Sequence, residues 1–195
     1  MTSDDSAPPE RLRAFVALEI DAPLRARLEE LTGRLKRELP GVRWVGPASM
    51  HLTLRFLGWT SAADLAPLHD PLRLAASDCP PASVGTTGLG MFPERGGPRV
   101  LWVGLAFPEA FHRLQTACEQ AAVAAGFSPE PRGFRPHLTL GRWKDRARRP
   151  SLPTIDLGPT YLDHLTLFRS DLRPKGAVYT PLALFPLGGS ASGLS

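Results

Sequence analysis

Apolar residues along the chain fall into two patterns, short uninterrupted runs and longer stretches with helical spacing. The compact apolar run from Leu12 to Ile20 is typical of a buried strand. From Leu24 to Leu39, leucines recur every three or four residues among arginines, lysines and glutamates, which predicts an amphipathic helix ending at Pro40. The chain therefore begins with a strand followed by a helix.

The remaining predicted elements are short, because prolines and glycines, 21 and 18 in number, fall mostly between the periodic segments. Helices are predicted at 61–77 and 108–125, and strands at 42–45, 51–58, 83–91, 99–106, 137–140, 161–168 and 177–185. The polar first ten residues and the Gly/Ser-rich end predict a disordered arm at 1–10 and a flexible tail at 188–195. A single domain at 11–187 is expected between them.

The most informative feature of the sequence is a repeated unit of strand, helix and strand. Pro23 lies 28 positions before His51, Pro108 lies 29 positions before His137, and both histidines begin the tetrapeptide His-Leu-Thr-Leu. A four-residue identity alone is within chance, but its place in two matching units indicates an internal duplication. We expect two lobes related by a pseudo-twofold axis, with both histidines in one cleft.

Each repeated strand pairs an imidazole with a hydroxyl. Alternate residues of a strand share a face, so His51 points with Thr53 and His137 with Thr139. Two imidazoles that titrate near neutrality can act as one acid and one base, and two hydroxyls between them can bind an oxyanion. This equipment suits displacement at phosphorus without a metal. A single His-x-Thr strand is more often structural, so the duplication carries this hypothesis.

A third copy of the tetrapeptide begins at His164, only 27 residues after His137. Three histidines raise the possibility of a zinc site, but His51, His137 and His164 come from separate strands without a second ligand nearby in sequence. No Pro-initiated helix precedes the third copy at the repeat spacing. We therefore predict a structural strand whose histidine faces solvent or a neighbouring lobe, and no metal site.

Charge is concentrated in one segment of the chain. The net charge is only +4, with 20 arginines and three lysines, yet the segment from Arg132 to Arg149 alone carries +6 and leaves −2 for the rest. Such a segment beside a cleft would attract a polyanion such as nucleic acid. Cys79 and Cys118 fit no disulfide framework, and no signal peptide or membrane span is apparent. These features favour a cytoplasmic protein.

Several segments in order resemble the bacterial and archaeal RNA 2′,3′-cyclic phosphodiesterases of the 2H phosphoesterase superfamily, first described as 2′-5′ RNA ligases. The likeness spans about Leu12 to Leu187. It is carried by Trp44 to Pro47 with Met50 to Gly58, by Arg99 to Leu105, by Phe134 to Arg142, by Ser170 to Leu172 and by Gly176 to Tyr179.

The resemblance implies an α+β fold of two pseudo-twofold-related lobes, with antiparallel sheets flanking a central cleft and helices outside. It also implies hydrolysis of a terminal 2′,3′-cyclic phosphate on RNA to a 2′-phosphomonoester, without metal or cofactor. His51 matches the proton donor to the leaving oxygen, His137 matches the proton acceptor that activates water, and Thr53 and Thr139 match phosphate ligands. RNA with a cyclic phosphate end is the expected partner, nucleotides are further candidate ligands, and a monomer is expected.

Three more residues are candidates for substrate binding. Arg142 matches a basic family residue five positions after the second histidine, but on a regular strand it points away from His137 unless Gly141 permits a bulge. Arg55 has the same parity as His51. Phe56 can stack a nucleobase at the cleft edge or pack in the core.

Two alternative functions stay open at the level of sequence. The first is 2′-5′ RNA ligation, or phosphodiesterase action on another cyclic nucleotide or a 2′-5′ oligonucleotide. The second is a non-catalytic RNA-binding protein that uses the basic segment from Arg132 to Arg149, where Arg146, Arg148 and Arg149 would carry the affinity. The sequence by itself also leaves the acid and base roles of the two histidines unassigned.

Overall fold

A computed structural model describes residues 11–145, 147–174 and 176–188. The elements of this described part are β1 (Leu12–Glu19), α1 (Ala22–Glu38), β2 (Val42–Trp44), β3 (His51–Thr60), α2 (Ala62–Leu65), α3 (His69–Ser77), β4 (Ala82–Val84), β5 (Thr86–Phe92), β6 (Val100–Leu105), α4 (Glu109–Ala124), β7 (His137–Trp143), β8 (Thr160–Leu162), β9 (His164–Arg173) and β10 (Gly176–Pro186). The predicted arm at 1–10, most of the tail and Arg146 lie outside the described residues.

The strands form two four-stranded sheets and one two-stranded pair. The first sheet has the order β10-β9-β1-β3, the second has the order β2-β7-β6-β5, and β4 pairs with β8. All of these pairings are antiparallel. The α+β class with antiparallel sheets is therefore confirmed.

The duplication predicted from sequence is visible in the strand pairing. In the first sheet β1 pairs with β3, and the connection between them contains α1; in the second sheet β6 pairs with β7 around α4. Each helix buries its apolar stripe, α1 through Leu24, Leu28, Leu31 and Leu35, and α4 through Phe111, Leu114 and Cys118. Burying a leucine stabilises the fold by roughly 1.5–3 kcal/mol. These side chains belong to one buried cluster that also contains the inner faces of both sheets.

Asp21 fixes the start of α1 and ties it to the second half of the chain. Its carboxylate accepts a hydrogen bond from the backbone N–H of Leu24 at 2.8 Å, which caps the helix. The same carboxylate accepts from the N–H of Tyr161 in β8 at 2.8 Å. One side chain thus sets both the helix start and its position against the two-stranded pair.

Two predicted elements are each divided in the structure. The helix predicted at 61–77 consists of α2, a 3-10 turn at Ala66–Leu68 and α3. Pro67 lies at this break, because proline has no N–H for the helical ladder and its ring crowds the preceding turn. The strand predicted at 83–91 is divided between β4, which pairs with β8, and β5, which pairs with β6.

Candidate active site

The strand β3 presents His51 and Thr53 on the face turned away from the main core. Their neighbours Leu52 and Leu54 are buried in that core. On the neighbouring strand β1, Phe15 and Ala17 lie on the same face of the sheet as His51 and Thr53, and they form a small cluster with Phe168 of β9 and Tyr179 of β10 that is separate from the main core. We call this face of the first sheet the cleft face.

The backbone and three aromatic rings hold the imidazole of His51. Its Nδ1 lies 2.9 Å from the carbonyl oxygen of Ser49. Because a carbonyl oxygen only accepts, Nδ1 carries the proton and Nε2 is left for the substrate. The ring stacks on Phe15 at 4.5 Å and meets the edge of Tyr179 at 4.9 Å, with Phe168 at 6.0 Å.

His137 repeats this arrangement on β7. Its Nδ1 lies 2.7 Å from the carbonyl oxygen of Arg135, so it too donates to the residue two positions before it. Phe92 meets its ring edge-on at 5.2 Å, and Trp102 lies at 6.3 Å. Each motif therefore fixes the same imidazole tautomer with a backbone carbonyl and leaves Nε2 as the free nitrogen.

Burial lowers the pKa of both histidines. For His51 burial is the largest cause, the positive charges of Arg25 and His137 act in the same direction, and the pKa falls to about 4. For His137 burial again dominates, and the charge of Arg142 lowers the pKa further. The strands β3 and β7 pack against each other, and His137 is close enough to His51 for its charge to lower the pKa of His51. Both imidazoles are neutral at pH 7 in the free protein.

The hydroxyls of Thr53 and Thr139 are available to a ligand. Both threonines are half-buried, each two residues after its histidine on the same strand face. Over residues 11–145, 147–174 and 176–188, neither hydroxyl has a protein hydrogen-bond partner. Two free donors thus lie beside two imidazoles with free Nε2 atoms.

A β-bulge in β7 brings Arg142 to the cleft face. Thr139 pairs with Trp102 and Gly141 pairs with Leu101, so Leu140 is the extra residue. An inserted residue reverses the alternation beyond it, and Arg142 returns to the face of Thr139. Gly141 is needed here because a Cβ on it would collide with Val42 and the Arg43 carbonyl in β2. The parity obstacle for Arg142 is thereby removed.

The equivalent bulge in β3 reverses the expected positions of Arg55 and Phe56. Leu54 is the extra residue, so Arg55 pairs with Val16 on the core face and Phe56 with Phe15 on the cleft face. The expectation that Arg55 shares the face of His51 is therefore wrong, and Phe56 is half exposed instead of packed in the core.

Arg55 has a structural role in place of a cleft role. Its side chain is 5% exposed, and its Nε lies 2.6 Å from the carboxylate of Glu119 on α4. Its terminal nitrogens donate to the carbonyls of Phe56 and Ser128. This network fixes β3 against α4 and the loop after it, because a buried guanidinium needs such partners.

Several residues around the histidines were not predicted from the sequence. Phe15, Tyr179, Phe92 and Trp102 surround the imidazoles, and Arg25 lines a cavity of about 170 Å³ beside His51. Tyr179 and Trp102 lie in segments that carry the family resemblance, which was the signal available. Strand pairing brings the others to the site, and no local motif marks them.

His164 lies on β9, two strands away from His51, and Glu19 on the intervening β1 borders the cavities of both histidines. Its Nδ1 is 2.6 Å from the Asp163 carboxylate, and it lines a separate cavity of about 300 Å³ with Tyr161 and Leu184. In the described part of the chain, no group of three or more His, Cys, Asp and Glu side chains is placed to hold a metal ion.

Part of the basic segment is neutralised by neighbouring groups. Arg132 pairs with Glu130 at 2.9 Å, and Arg135 pairs with Glu94. Arg142 has no carboxylate partner among the residues that the structure describes, and its charge acts on His137. The positive charge of Arg142 is thus directed at the cleft.

Similarity to known proteins extends along nearly the whole chain. The model of the family described as LigT like Phosphoesterase matches residues 18–102 and 105–179. An RNA 2′,3′-cyclic phosphodiesterase of Methanothermobacter thermautotrophicus is 32% identical over 184 residues, which cover 91% of this chain and all of the relative. No helix in the described residues has the length and apolarity needed to cross a membrane.

Two solved structures show the same fold. The protein TT0787 of Thermus thermophilus matches with a TM-score of 0.79 at 32% identity, over 91% of this chain and 99% of that chain. Escherichia coli LigT complexed with 3′-AMP matches with a TM-score of 0.75 at 26% identity, over 92% of this chain and all of that chain.

Proposed function

The chain belongs to the LigT-like phosphoesterase family, and from that premise we propose that it hydrolyses the terminal 2′,3′-cyclic phosphate of RNA to a 2′-phosphomonoester. One observation carries the proposal: two imidazoles in one site, each with Nδ1 donating to the carbonyl two residues earlier and with Nε2 free. This arrangement provides one proton donor and one proton acceptor for a phosphodiester placed between them.

The reaction needs two proton transfers. Nε2 of His137 takes a proton from a water molecule as the water oxygen forms a bond to phosphorus. Nε2 of His51 gives its proton to the 3′ oxygen as the bond between phosphorus and that oxygen breaks, leaving the phosphate on the 2′ oxygen. A general acid or base at such a position contributes about 100- to 10,000-fold in rate.

The hydroxyls of Thr53 and Thr139 and the guanidinium of Arg142 bind the phosphate oxygens. The hydroxyls have no protein partner in the described residues, and Arg142 lies on the cleft face. Charge that develops on these oxygens in the transition state is stabilised by donors already in place.

Substrate binding supplies the protonation state that His51 needs. In the free protein its pKa is about 4, which favours the neutral imidazole. The negative charge of a bound phosphodiester beside Nε2 raises that pKa, because an opposite charge stabilises the imidazolium. The two rings titrate as a coupled pair, so the enzyme–substrate complex carries the proton that the free site lacks.

The test is turnover of an oligoribonucleotide that ends in a 2′,3′-cyclic phosphate, assayed in EDTA, with the phosphate position on the product determined. We expect a 2′-phosphate. Absence of turnover, or a 3′-phosphate product, contradicts the proposal. Matched reactions test the alternative enzymatic activities. A 2′-5′-linked oligonucleotide and other cyclic nucleotides test for other phosphodiesterase activities. A 2′,3′-cyclic phosphate end supplied with a free 5′-hydroxyl end tests for ligation.

A purely RNA-binding function is less well supported by the charge distribution, because Arg132 and Arg135 already have carboxylate partners. Under that function, His51→Ala and His137→Ala would keep RNA affinity, and removal of charge at Arg148 and Arg149 would abolish it. Under the proposed function, each histidine substitution removes turnover and the arginine substitutions have smaller effects.

A further inference from the structure

Beyond the catalytic histidine, β3 carries two large exposed aromatic side chains. Phe56 is 50% exposed and Trp59 is 60% exposed. Residues three apart on a regular strand face opposite sides. Leu57 is the extra residue of a second bulge in β3, so Trp59 returns to the face of Phe56 and His51. Two bulges in one strand thus place both rings on the cleft face.

The register with β1 gives the spacing of these rings along the cleft face. His51, Phe56 and Trp59 are paired with Glu19, Phe15 and Arg13, respectively. At about 3.3 Å per residue of β1, the two aromatic residues lie ~13 and ~20 Å from the histidine along the strand. A chain extending from the catalytic site along β3 therefore meets Phe56 first and Trp59 next.

The ring of Phe56 is connected to the catalytic site through Phe15. The ring of Phe15 lies 4.5 Å from His51 on one side and 6.1 Å from Phe56 on the other. Phe15, itself buried, thus bridges the ring of His51 and the exposed ring of Phe56. A nucleobase adjoining the phosphate can therefore stack in sequence with bases further along.

Positive charge accompanies the rings. Arg13 is the partner of Trp59 across the strands, on the same face. Burial raises the pKa of Tyr179, and the charges of Arg142 and Arg13 oppose that shift, so both guanidinium groups lie near this ring of the cleft face. Aromatic rings flanked by arginines are the combination that binds single-stranded nucleic acid, through base stacking and phosphate contacts.

We propose that Trp59 and Arg13, which lie beyond Phe56 on the cleft face, form an upstream subsite for single-stranded RNA that makes oligoribonucleotides better substrates than mononucleotides. The inference rests on the proposed function, and it names the substrate class of the same site. Stacking on aromatic rings tolerates any base, so the subsite confers a preference for length and little preference for sequence.

The first experiment compares kcat/KM for a nucleoside 2′,3′-cyclic monophosphate and for a trinucleotide with the same cyclic end. We expect the trinucleotide to be preferred, and Trp59→Ala to lower the ratio of the two values by about 5- to 150-fold, the loss of one stacked base. Trp59→Phe keeps an aromatic face and retains most of the ratio. Leu74→Ala, at a residue of α3 that is 58% exposed, is the control and leaves the ratio unchanged.

A second experiment tests the phosphate contact at Arg13. Arg13→Gln lowers the slope of log(kcat/KM) for the trinucleotide against log salt concentration by about 0.7, the value for one phosphate contact to a single strand. Arg34→Gln, at an exposed position of α1, removes the same charge elsewhere and leaves the slope unchanged.

The outcomes separate the two proposals. Equal kcat/KM for both substrates in the unmodified protein, or a ratio that survives Trp59→Ala, overturns the subsite while the proposed function stands. If neither substrate is hydrolysed, the proposed function fails. In that case the affinities of the unmodified protein and of the same variants for a 3′-phosphorylated trinucleotide and a 3′-phosphorylated mononucleotide test the subsite directly. Equal affinities of the unmodified protein for these two ligands overturn the subsite.

Discussion

The position of Trp102 beside His137 depends on Gly90, and Gly90→Ala tests this dependence. A Cβ at residue 90 would stand 2.6 Å from Cε2 of the indole, with Cζ2 and Cη2 closer still. Because carbon atoms pack at about 3.5–4.0 Å, the indole must retreat by about 1 Å or more. Gly104 lies against the same indole, so the ring moves toward Phe92 and His137.

The expected magnitude follows from this displacement. Forcing a methyl group into a filled site costs about 1–3 kcal/mol in the free energy of unfolding. A misplacement of about 1 Å at a catalytic group lowers rate by up to ~100-fold, so we expect kcat/KM to fall by roughly 10- to 100-fold in Gly90→Ala. Adding Trp102→Leu to Gly90→Ala removes the collision and restores stability. It does not restore turnover, because the indole that packs against His137 is lost.

The assays are denaturant unfolding and kcat/KM on a cyclic-phosphate oligonucleotide. Gly33→Ala is the matched control, because residue 33 lies within α1 and a Cβ there meets nothing within 4 Å. That substitution should raise the free energy of unfolding by about 0.5–1 kcal/mol and leave turnover unchanged. A Gly90→Ala protein with native stability and native turnover would refute the packing argument.

Three further predictions concern the site. His51→Ala and His137→Ala each lower kcat by about 100- to 10,000-fold, whereas His164→Ala changes it less than about twofold, as measured by steady-state kinetics; comparable losses at all three would contradict the paired site. Burial lowers the pKa of both His51 and His137. Under the proposed mechanism one of them must be protonated while the other is neutral, so we expect kcat/KM to be greatest below pH 6.5. The kcat optimum lies at higher pH, since bound phosphate raises those pKa values, and a kcat/KM optimum above pH 7 would count against this. Arg55→Met lowers the free energy of unfolding, measured with urea, by about 3–5 kcal/mol, because it leaves the Glu119 carboxylate without its partner. Arg142→Gln instead lowers kcat/KM with little loss of stability. The reverse pattern would reject the placement of these two arginines.

Local sequence patterns were sufficient for most of the secondary structure. The leucine spacing of α1, with Asp21 before it and Pro40 after it, marks a helix that the structure contains at Ala22–Glu38. The hydrophobic pattern did not predict where an element is divided, either by a proline, as at Pro67 between α2 and α3, or by pairing with two different strands, as for β4 and β5. A hydrophobic pattern reports burial, and it does not report which strand an element pairs with.

The paired His-x-Thr strands could also be found from sequence, because duplication and spacing are one-dimensional properties. The rings that support each histidine could not, since Phe15 and Tyr179 reach His51 only through the pairing of β3 with β1, β1 with β9, and β9 with β10. The low pKa of His51 follows from that packing, so it too depends on tertiary structure.

The two repeated units and the residue types available for acid–base chemistry are evident from the order of residues alone, and resemblance to a known family implied the α+β class. The side chains beyond the two motifs that face the cleft are set by strand register. Each motif strand has an extra residue, Leu54 or Leu140, where it pairs with its neighbour, and this exchanges the faces of Arg55 and Phe56 and returns Arg142 to the site. Strand alternation is a local rule, but a bulge is defined by the register of two strands, which one strand's sequence does not contain.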